Sequence, residues 1–500
     1  MPTLANVPPL NARTDPNTLS REAEFAAPEV PPHEALAALW HASGLPPSAL
    51  SRIALPASGP VLPSSFAVGS AAQASLGAAA LAAAEIRHLR GHGRQDVRVE
   101  RTHALAECAA WFSLDGVEPA VWDKISGLYP CGEAVGVPGW VRIHANFAHH
   151  RDGALRLLGY PPGPGTEREA IIDALRHWNA EDLETAAANA GLVVAALRRM
   201  DEWDRHPQST AVAVQAPLTI ERIEDDATVP PIAWPDLSIR ARPLTGLRVL
   251  DLTRILSGPA GCRALAAHGA DVLMVNSPTL PNIETIAELS RGKRSAHLDL
   301  RTESGRDGLR SLVSGAHVFV QGYRPGGLAG LGFDPRTLAR LRPGIVAASL
   351  SAYGPSGPWA DRRGFDSLVQ TAMGFNDAEG AAAGDGVPRA MPLQILDYAA
   401  GFLLAFGVQV ALMRQQREGG SWHVQVSLAG AGHWLRGLGR VSGEINLPKQ
   451  EGWMKPFLVS EPSGFGRLVG VRHAAELAET PPDWRLPSML PGTHPPAWAS

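Results

Sequence analysis

The most uniform hydrophobic run in the chain extends from Tyr398 to Met413, sixteen residues in which Gln409 is the only strongly polar side chain. A helix apolar on every face has to be enclosed by protein, and this run is shorter than the eighteen or so residues that suggest a membrane span. The sequence Arg414-Gln-Gln-Arg417-Glu-Gly-Gly ends it, with cations in the last turn and glycines beyond. Trp422-His-Val-Gln-Val-Ser then alternates like a strand. A single acid, Asp397, stands where the helix is expected to begin. Taken alone it reads as an N-cap accepting backbone N–H groups.

The same pattern occurs once more. With Ser70 set against Asp397, residues Ala72, Leu76, Ala78, Ala84, Arg87, Arg90, Gly93, Val97 and Val99 face identical residues at 399, 403, 405, 411, 414, 417, 420, 424 and 426. Helix, cationic end, glycine and strand fall in one register, so an internal repeat is expected. In the first copy Ser70 replaces the acid, and a serine cannot act as a carboxylate.

Periodicity elsewhere divides the chain. Residues 1–34 have none and are expected to be a loose arm. Residues 35–225 are expected to hold a degenerate helix–strand copy and a small α+β domain. Within it, Gly139 to Phe147 alternates with Val141, Ile143, Ala145 and Phe147 on one face, and capping boxes at Thr166–Glu169 and Asn179–Asp182 open two helices. Residues 226–243 carry four prolines without periodicity and read as a linker. From 244 to 440, buried strands at 247–253, 271–275, 296–300, 317–320 and 345–351 alternate with helices at 259–268 and 303–314. This predicts an α/β fold with a doubly wound, mostly parallel sheet. Residues 441–500 are expected to return to the sheet domain.

Composition narrows the class. Hydrophobic residues make up 45%, charged residues 19%, and the formal net charge is −4. These values give no electrostatic case for nucleic acid or an anionic membrane. Cys108, Cys131 and Cys262 are isolated and form neither a disulfide framework nor a metal motif. His144, His149 and His150 lack an acidic partner at ligand spacing, so no metal site is expected. The first twenty residues have no cationic start followed by an apolar run, and a cytoplasmic protein is expected. The turn Leu256-Ser257-Gly258-Pro259 opens a helix N-terminus suited to an anion or an oxyanion. It lacks GxGxxG, which argues against a dinucleotide.

Several pieces in order carry a family resemblance. They are Pro243 to Arg254 with Gly258-Pro259, Gly269-Ala-Asp-Val, Arg291-Gly-Lys-Arg-Ser295 with Leu298-Asp-Leu, Tyr323-Arg-Pro-Gly326 with Leu331-Gly-Phe, Tyr353-Gly-Pro-Ser-Gly-Pro358 with Arg363-Gly-Phe-Asp366, and the Asp397 helix. The chain resembles the family III CoA-transferases. The resemblance implies that Asp397 is the catalytic aspartate. It also implies CoA contacts at Arg254, Leu256, Ser257, Gly322, Tyr323 and Arg324, an acyl-CoA and a small carboxylic acid as substrates, no metal or other cofactor, and a homodimer. The arrangement departs from the family, with the sheet domain starting near 243 and small-domain elements preceding it, as in a rearranged or fused pair. The two halves are therefore expected to pack within one chain, with helices 71–90 and 398–413 close together. Met274, Asn276 and Gly322 also depart from the family pattern, which keeps a CoA-binding paralogue without turnover as an alternative. A 2-methylacyl-CoA racemase is the other alternative, but it would need a histidine where this chain has Phe365.

Overall fold

The computed structural model describes residues 27–57, 59, 62–223, 229–324, 326–443, 445–448 and 450–499. In chain order, the first half contributes β1 (Ile53–Ala54), α1 (Val68–Leu89), β2 (Val97–Val99) and α2 (Arg101–Cys108). It continues with β3 (Gly127–Cys131), β4 (Gly139–Ile143), α3 (Ala148–Leu157), β5 (Val194–Ala196) and β6 (Leu218–Ile223). The second half contributes β7 (Arg248–Leu252), α4 (Ser257–Ala267), β8 (Asp271–Asn276), β9 (Lys293–His297), α5 (Glu303–Ser314), β10 (Val318–Gln321) and β11 (Val346–Ser351). It ends with α6 (Asp366–Ala372), α7 (Ile395–Glu418), β12 (Ser421–Ser427), α8 (Leu428–Gly437) and β13 (Ala475–Leu477).

The main sheet has seven strands in the order β9-β8-β7-β10-β11-β12-β6. All neighbours are parallel except β6, which closes the edge antiparallel to β12, with Val424 opposite Ile220. The fold is therefore α/β with a mostly parallel sheet, as the strand–helix alternation predicted. The third strand lies at 293–297, ahead of the expected 296–300. Although β6 precedes the proline-rich stretch, it belongs to the sheet, so that stretch separates lengths of chain rather than units of structure. Strand order reverses between β7 and β10. The turns after these two strands, 253–256 and 322–324, thus share the crevice where ligands bind in such sheets.

Helix α7 is the axis of the core. It spans 24 residues, longer than the apolar run alone suggests, and is long and apolar enough to cross a membrane, but its hydrophobic stretch is wholly buried in protein. Trp40 stacks on Phe406, β12 and β6 lie beneath it at Gly407, and α1 packs along it, where Gln409 donates to the Ala79 carbonyl at 3.0 Å. The two long helices are thus neighbours within one chain. Helix α4 crosses at a glycine pair: a Cβ on Gly261 would stand 2.4 Å from the Gly401 carbonyl oxygen, and one on Gly401 would stand 2.4 Å from the Ser257 carbonyl oxygen.

The Ser70 and Asp397 segments have the same order of helix, strand and helix. Ser70 and Asp397 are each the third residue of their helix. In each copy the following strand pairs parallel with one neighbour and antiparallel with another: β2 with β1 and β13, β12 with β11 and β6. Ser70 Oγ donates to Glu29 at 2.6 Å. Residues 27–30 are not loose, since Val30 N–H donates to the Leu438 carbonyl and Arg440 N–H to that of Ala27. Residues 32–34 of the expected arm open a helix, Pro32–Ala42, and residues 1–26 lie outside the described residues.

Residues 458–499 return to both halves. Strands 458–463 and 466–471 form a sheet with 112–114, β13 joins β2, and His494 N–H donates to the Ser295 carbonyl. A buried ionic group ties them together: Glu107 accepts from Arg263 at 3.1 Å, from His473 at 2.9 Å and from Ala474 N–H at 2.7 Å. Burial opposes the Glu107 charge, but His473 and Arg263 outweigh it and hold the acid down at about 2. Of the two capping boxes, Asn179 caps its helix, whereas the helix at 168–175 starts without a side-chain cap at Thr166.

The glycine crossing gives a direct test. Gly261→Ala forces α4 away from α7 and should cost about 1–3 kcal/mol, seen as a lower thermal midpoint. Gly437→Ala, whose Cβ meets nothing within 4 Å, should be neutral. Equal midpoints for both variants would show that the crossing is not tight.

Candidate active site

Asp397 is not the cap of its helix. Helix α7 starts two residues earlier, and the capping carboxylate comes from α6: Asp366 Oδ2 accepts the Asp397 N–H at 2.9 Å and also receives the Leu396 N–H. The sequence reading failed here because Asp366 is 31 residues away, so no local spacing could reveal the pair. Asp366 is held in turn by Gln370 Nε2, which also donates to the Leu393 carbonyl at 3.1 Å, while Gln370 Oε1 accepts from Met391 N–H and Asn376. This network fixes one carboxylate and leaves the other free. The Asp397 carboxylate has no hydrogen-bond donor among the described residues, and 7% of the residue is exposed.

Two buried carboxylates this close cannot both ionise easily. Burial pushes Asp366 up to about 7 against its backbone and Gln370 donors. Burial, and then the Asp366 charge, push Asp397 well above the ordinary carboxylate range. The pair therefore resists double ionisation and titrates as a unit.

The small domain closes over this pair. Strand β4 buries both faces. Val141, Ile143 and Ala145 pack into the small domain's own core, while Arg142 and His144 turn toward α6. His144 stacks on Phe365 with ring centroids 4.1 Å apart, and Trp122 meets His144 edge-on at 5.7 Å. Arg142 lies over the Trp122 ring at 5.5 Å and close enough to Asp366 to favour its ionised form. Burial, then the Arg142 charge, hold His144 down at about 3, so its imidazole is neutral. Sequence patterning had marked only the Val141 face, because alternation cannot show that the polar face also meets protein.

Of the expected CoA-contact residues, Arg254 lies over Phe147 at 5.7 Å, and Phe147 lies 6.3 Å from Phe365. Arg254 also lies beside Tyr323. Arg254 lines a small cavity with Met274 and Asn276. Gly322 is exposed, and Tyr323 and Arg324 border a separate cavity of about 190 Å³ beneath the ends of β10, β11 and β12. Leu256 precedes α4, and Ser257, the first residue of α4, is buried with its hydroxyl unpaired against the turn of α7 that follows Asp397. Ile255, between Arg254 and Leu256, has φ +77°, which is strained for a β-branched residue. Strain of this kind is held where a loop must keep one shape. His149 and His150 sit beside Arg363 at the same interface, and no group of acids, histidines and cysteines among the described residues could hold a metal.

Part of the chain is similar to known proteins. Residues 244–438 match the profile of CoA-transferase family III. An acyl-CoA transferase of Gibberella moniliformis is 28% identical over 407 residues, covering 73% of this chain and 69% of its own. A succinate–glutarate CoA-transferase of Agrobacterium fabrum is 32% identical over 39% of this chain and 52% of its own. Apart from the first, the chain spans about half the length of the relatives named here. A solved CAIB/BAIF family protein from Brucella suis is 31% identical over 39% of this chain and 55% of its own, with a TM-score of 0.36.

The carboxylate pair carries a stability prediction. An acid raised in the folded state contributes stability that is complete below its unfolded value, about 4, and lost as pH rises through the folded value, about 7 for Asp366. Asp366→Asn keeps an oxygen to cap α7 and removes the second charge. Its thermal midpoint should fall less than that of wild type between about pH 5 and about pH 8. Parallel curves would show that the pair does not share a proton.

Proposed function

Residues 244–438 belong to CoA-transferase family III, and from that premise we propose that the protein moves CoA from an acyl-CoA to a carboxylic acid through a covalent intermediate on Asp397. The observation that carries this reading is an unpaired carboxylate at the first turn of a buried helix, whose backbone is fixed by a second carboxylate. A nucleophile needs a free oxygen at a defined place, and Asp397 has both.

The chemistry follows from a carboxylate's dual role as nucleophile and leaving group. An Asp397 oxygen attacks the thioester carbonyl, the C–S bond breaks, and CoA thiolate leaves a mixed anhydride. The thiolate then attacks the aspartyl carbon and releases the donor acid, giving an aspartyl–CoA thioester. The acceptor carboxylate attacks that thioester to form the second anhydride, and returning thiolate takes the new acyl group and frees Asp397. Asp397 has to react as the anion, and the Asp366 charge, held by the α7 N–H groups and Gln370, opposes that ionisation until substrate enters. Ser257, whose hydroxyl is unpaired and whose backbone packs against Gly401 of α7, is a candidate donor for an oxyanion. No metal or redox cofactor is needed. Arg254, Leu256, Ser257, Gly322, Tyr323 and Arg324 would bind CoA along the strand-order reversal. In this reading the Ser70 segment is a degenerate internal repeat without a nucleophile. The protein works as a homodimer in the cytoplasm, and a single-chain mass by light scattering would count against the dimer.

Racemisation is not favoured. His144 stands against Phe365, where a histidine base would be needed, but an imidazole held at about 3 is too weak a base for an α-proton.

Asp397→Ala should abolish transfer with its fold retained. Wild type treated with an acyl-CoA and then hydroxylamine should yield a hydroxamate at residue 397 by peptide mass spectrometry. Full turnover in the alanine variant would end the covalent reading. No Asp397-dependent deuterium should enter the α-carbon of a 2-methylacyl-CoA in heavy water, and such exchange would favour the racemase instead.

A further inference from the structure

The buried ion pair between Asp251 and Lys293 is the feature that the transfer chemistry leaves unexplained. Lys293 opens β9, Asp251 lies in β7, and β8 runs between them in the sheet. Lys293 Nζ reaches Asp251 Oδ2 at 2.9 Å, and both side chains are 0% exposed. Taking two charges out of water costs as much as their attraction returns, and an apolar pair of similar volume is often just as stable. Stability of the sheet therefore gives no reason for this pair. Its remaining bonds lead out of the sheet. Asp251 Oδ1 accepts from the Thr253 N–H at 2.9 Å and from Thr253 Oγ1 at 2.5 Å, while Lys293 Nζ donates a second bond to the Pro259 carbonyl at 2.9 Å. Thr253 and Pro259 are the two ends of the turn that runs through Arg254, Leu256 and Ser257 into α4.

That turn is under constraint along its length. Ile255 sits at φ +77°, a conformation that persists only where the surroundings over-determine it. A Cβ on Gly258 would stand 2.5 Å from the Thr253 side chain, so the turn folds tightly back on its own start. Ser257 lies in the middle, 3% exposed, with its hydroxyl unpaired. Its carbonyl abuts Gly401, one helical turn beyond Asp397. The Leu256 carbonyl accepts from the Ala260 N–H at 2.8 Å, and the N–H groups of Ser257 and Gly258, ahead of that bond, have no partner inside the helix. Unpaired donors are thus held in one place beside the nucleophile's helix, and the ion pair ties both ends of the segment that carries them.

Resting on the transferase reading, we propose that Asp251 and Lys293 are positioning residues, which hold the first turn of α4 so that its donors meet the oxyanion formed at Asp397. Attack by an Asp397 oxygen on the thioester carbonyl moves the π pair of that C=O onto its oxygen, and return of the pair expels CoA thiolate. Donors fixed before the charge develops need no reorganisation when it does. Lys293 acts on the α4 end of the turn through Pro259, and Asp251 on the Arg254 end through Thr253.

The test removes the charges while keeping the shape of the pair, using acyl-CoAs from acetyl-CoA to octanoyl-CoA and the corresponding free acids. Lys293→Met alone leaves a buried carboxylate unpaired and should lower the thermal midpoint. Lys293→Met combined with Asp251→Asn buries no charge and keeps an oxygen for Thr253, so its midpoint should return close to that of wild type. The bond to the Pro259 carbonyl is still missing. The kcat of the double variant should therefore stay at least about 30-fold below wild type, with the KM for the acyl-CoA changed less than about threefold. The hydroxamate at residue 397 should still form in it, slowed by the same factor. A kcat that recovers with the midpoint would make the pair a support of the fold and overturn the proposal, as would a double variant that stays as unstable as the single. An effect confined to KM would assign the pair to CoA binding through Arg254 and likewise overturn it. If Lys293→Met does not fold, the double variant against wild type decides alone. Wild type that gives neither transfer nor hydroxamate would instead remove the transferase reading, and this proposal with it.

Discussion

A helix without a polar side has to be surrounded, and the rest of this molecule is arranged to surround α7. The sheet lies beneath it, α1 runs along it, α4 crosses it at a glycine pair, and α6 caps its start. Enclosing an apolar helix is favourable at about 25 cal/mol per Å² removed from water. The same enclosure puts the polar groups at its first turn in a low-dielectric setting. The unusual electrostatics of Asp366 and Asp397 follow from where a fully apolar helix must begin, and need no special design beyond the cap.

Reactivity and stability therefore oppose each other at one place. The carboxylate pair is easiest to bury when it keeps its proton, and most reactive when Asp397 has lost it. Arg142 and the backbone donors of α7 favour the anion of Asp366 rather than that of Asp397, and none of them pairs with the Asp397 carboxylate. An ordinary salt bridge to Asp397 would stabilise its anion but occupy the oxygen that the proposed chemistry uses.

The long-range order of the sheet was legible in sequence because buried parallel strands and their helices announce themselves by alternation. Asp397 was legible for the same reason: it is the one acid before the longest apolar run. Its partner was not. Asp366 follows Phe365 in a short loop-and-helix segment, and only the tertiary fold brings it to the start of α7. Arg142 and His144 were hidden by the opposite effect. On a strand with one apolar face, polar residues on the other face read as solvated, and here that face meets a second body of protein. Ser70 was legible as standing at the helix position that Asp397 holds in the other segment, while its pairing with Glu29 was not.

The two edge strands have a consequence for synthesis. Strand β6 comes from the first half of the chain and closes the sheet of the second. Strand β13 comes from near the end and closes the small sheet begun by β1 and β2. Each half thus lends the other its last strand. On a ribosome, the earliest elements would emerge with an open edge on β2 and wait through more than 370 further residues for the segment that covers it. An exposed edge is a template for pairing with other chains, so the interval before residue 477 appears is when a chaperone would matter most to this protein.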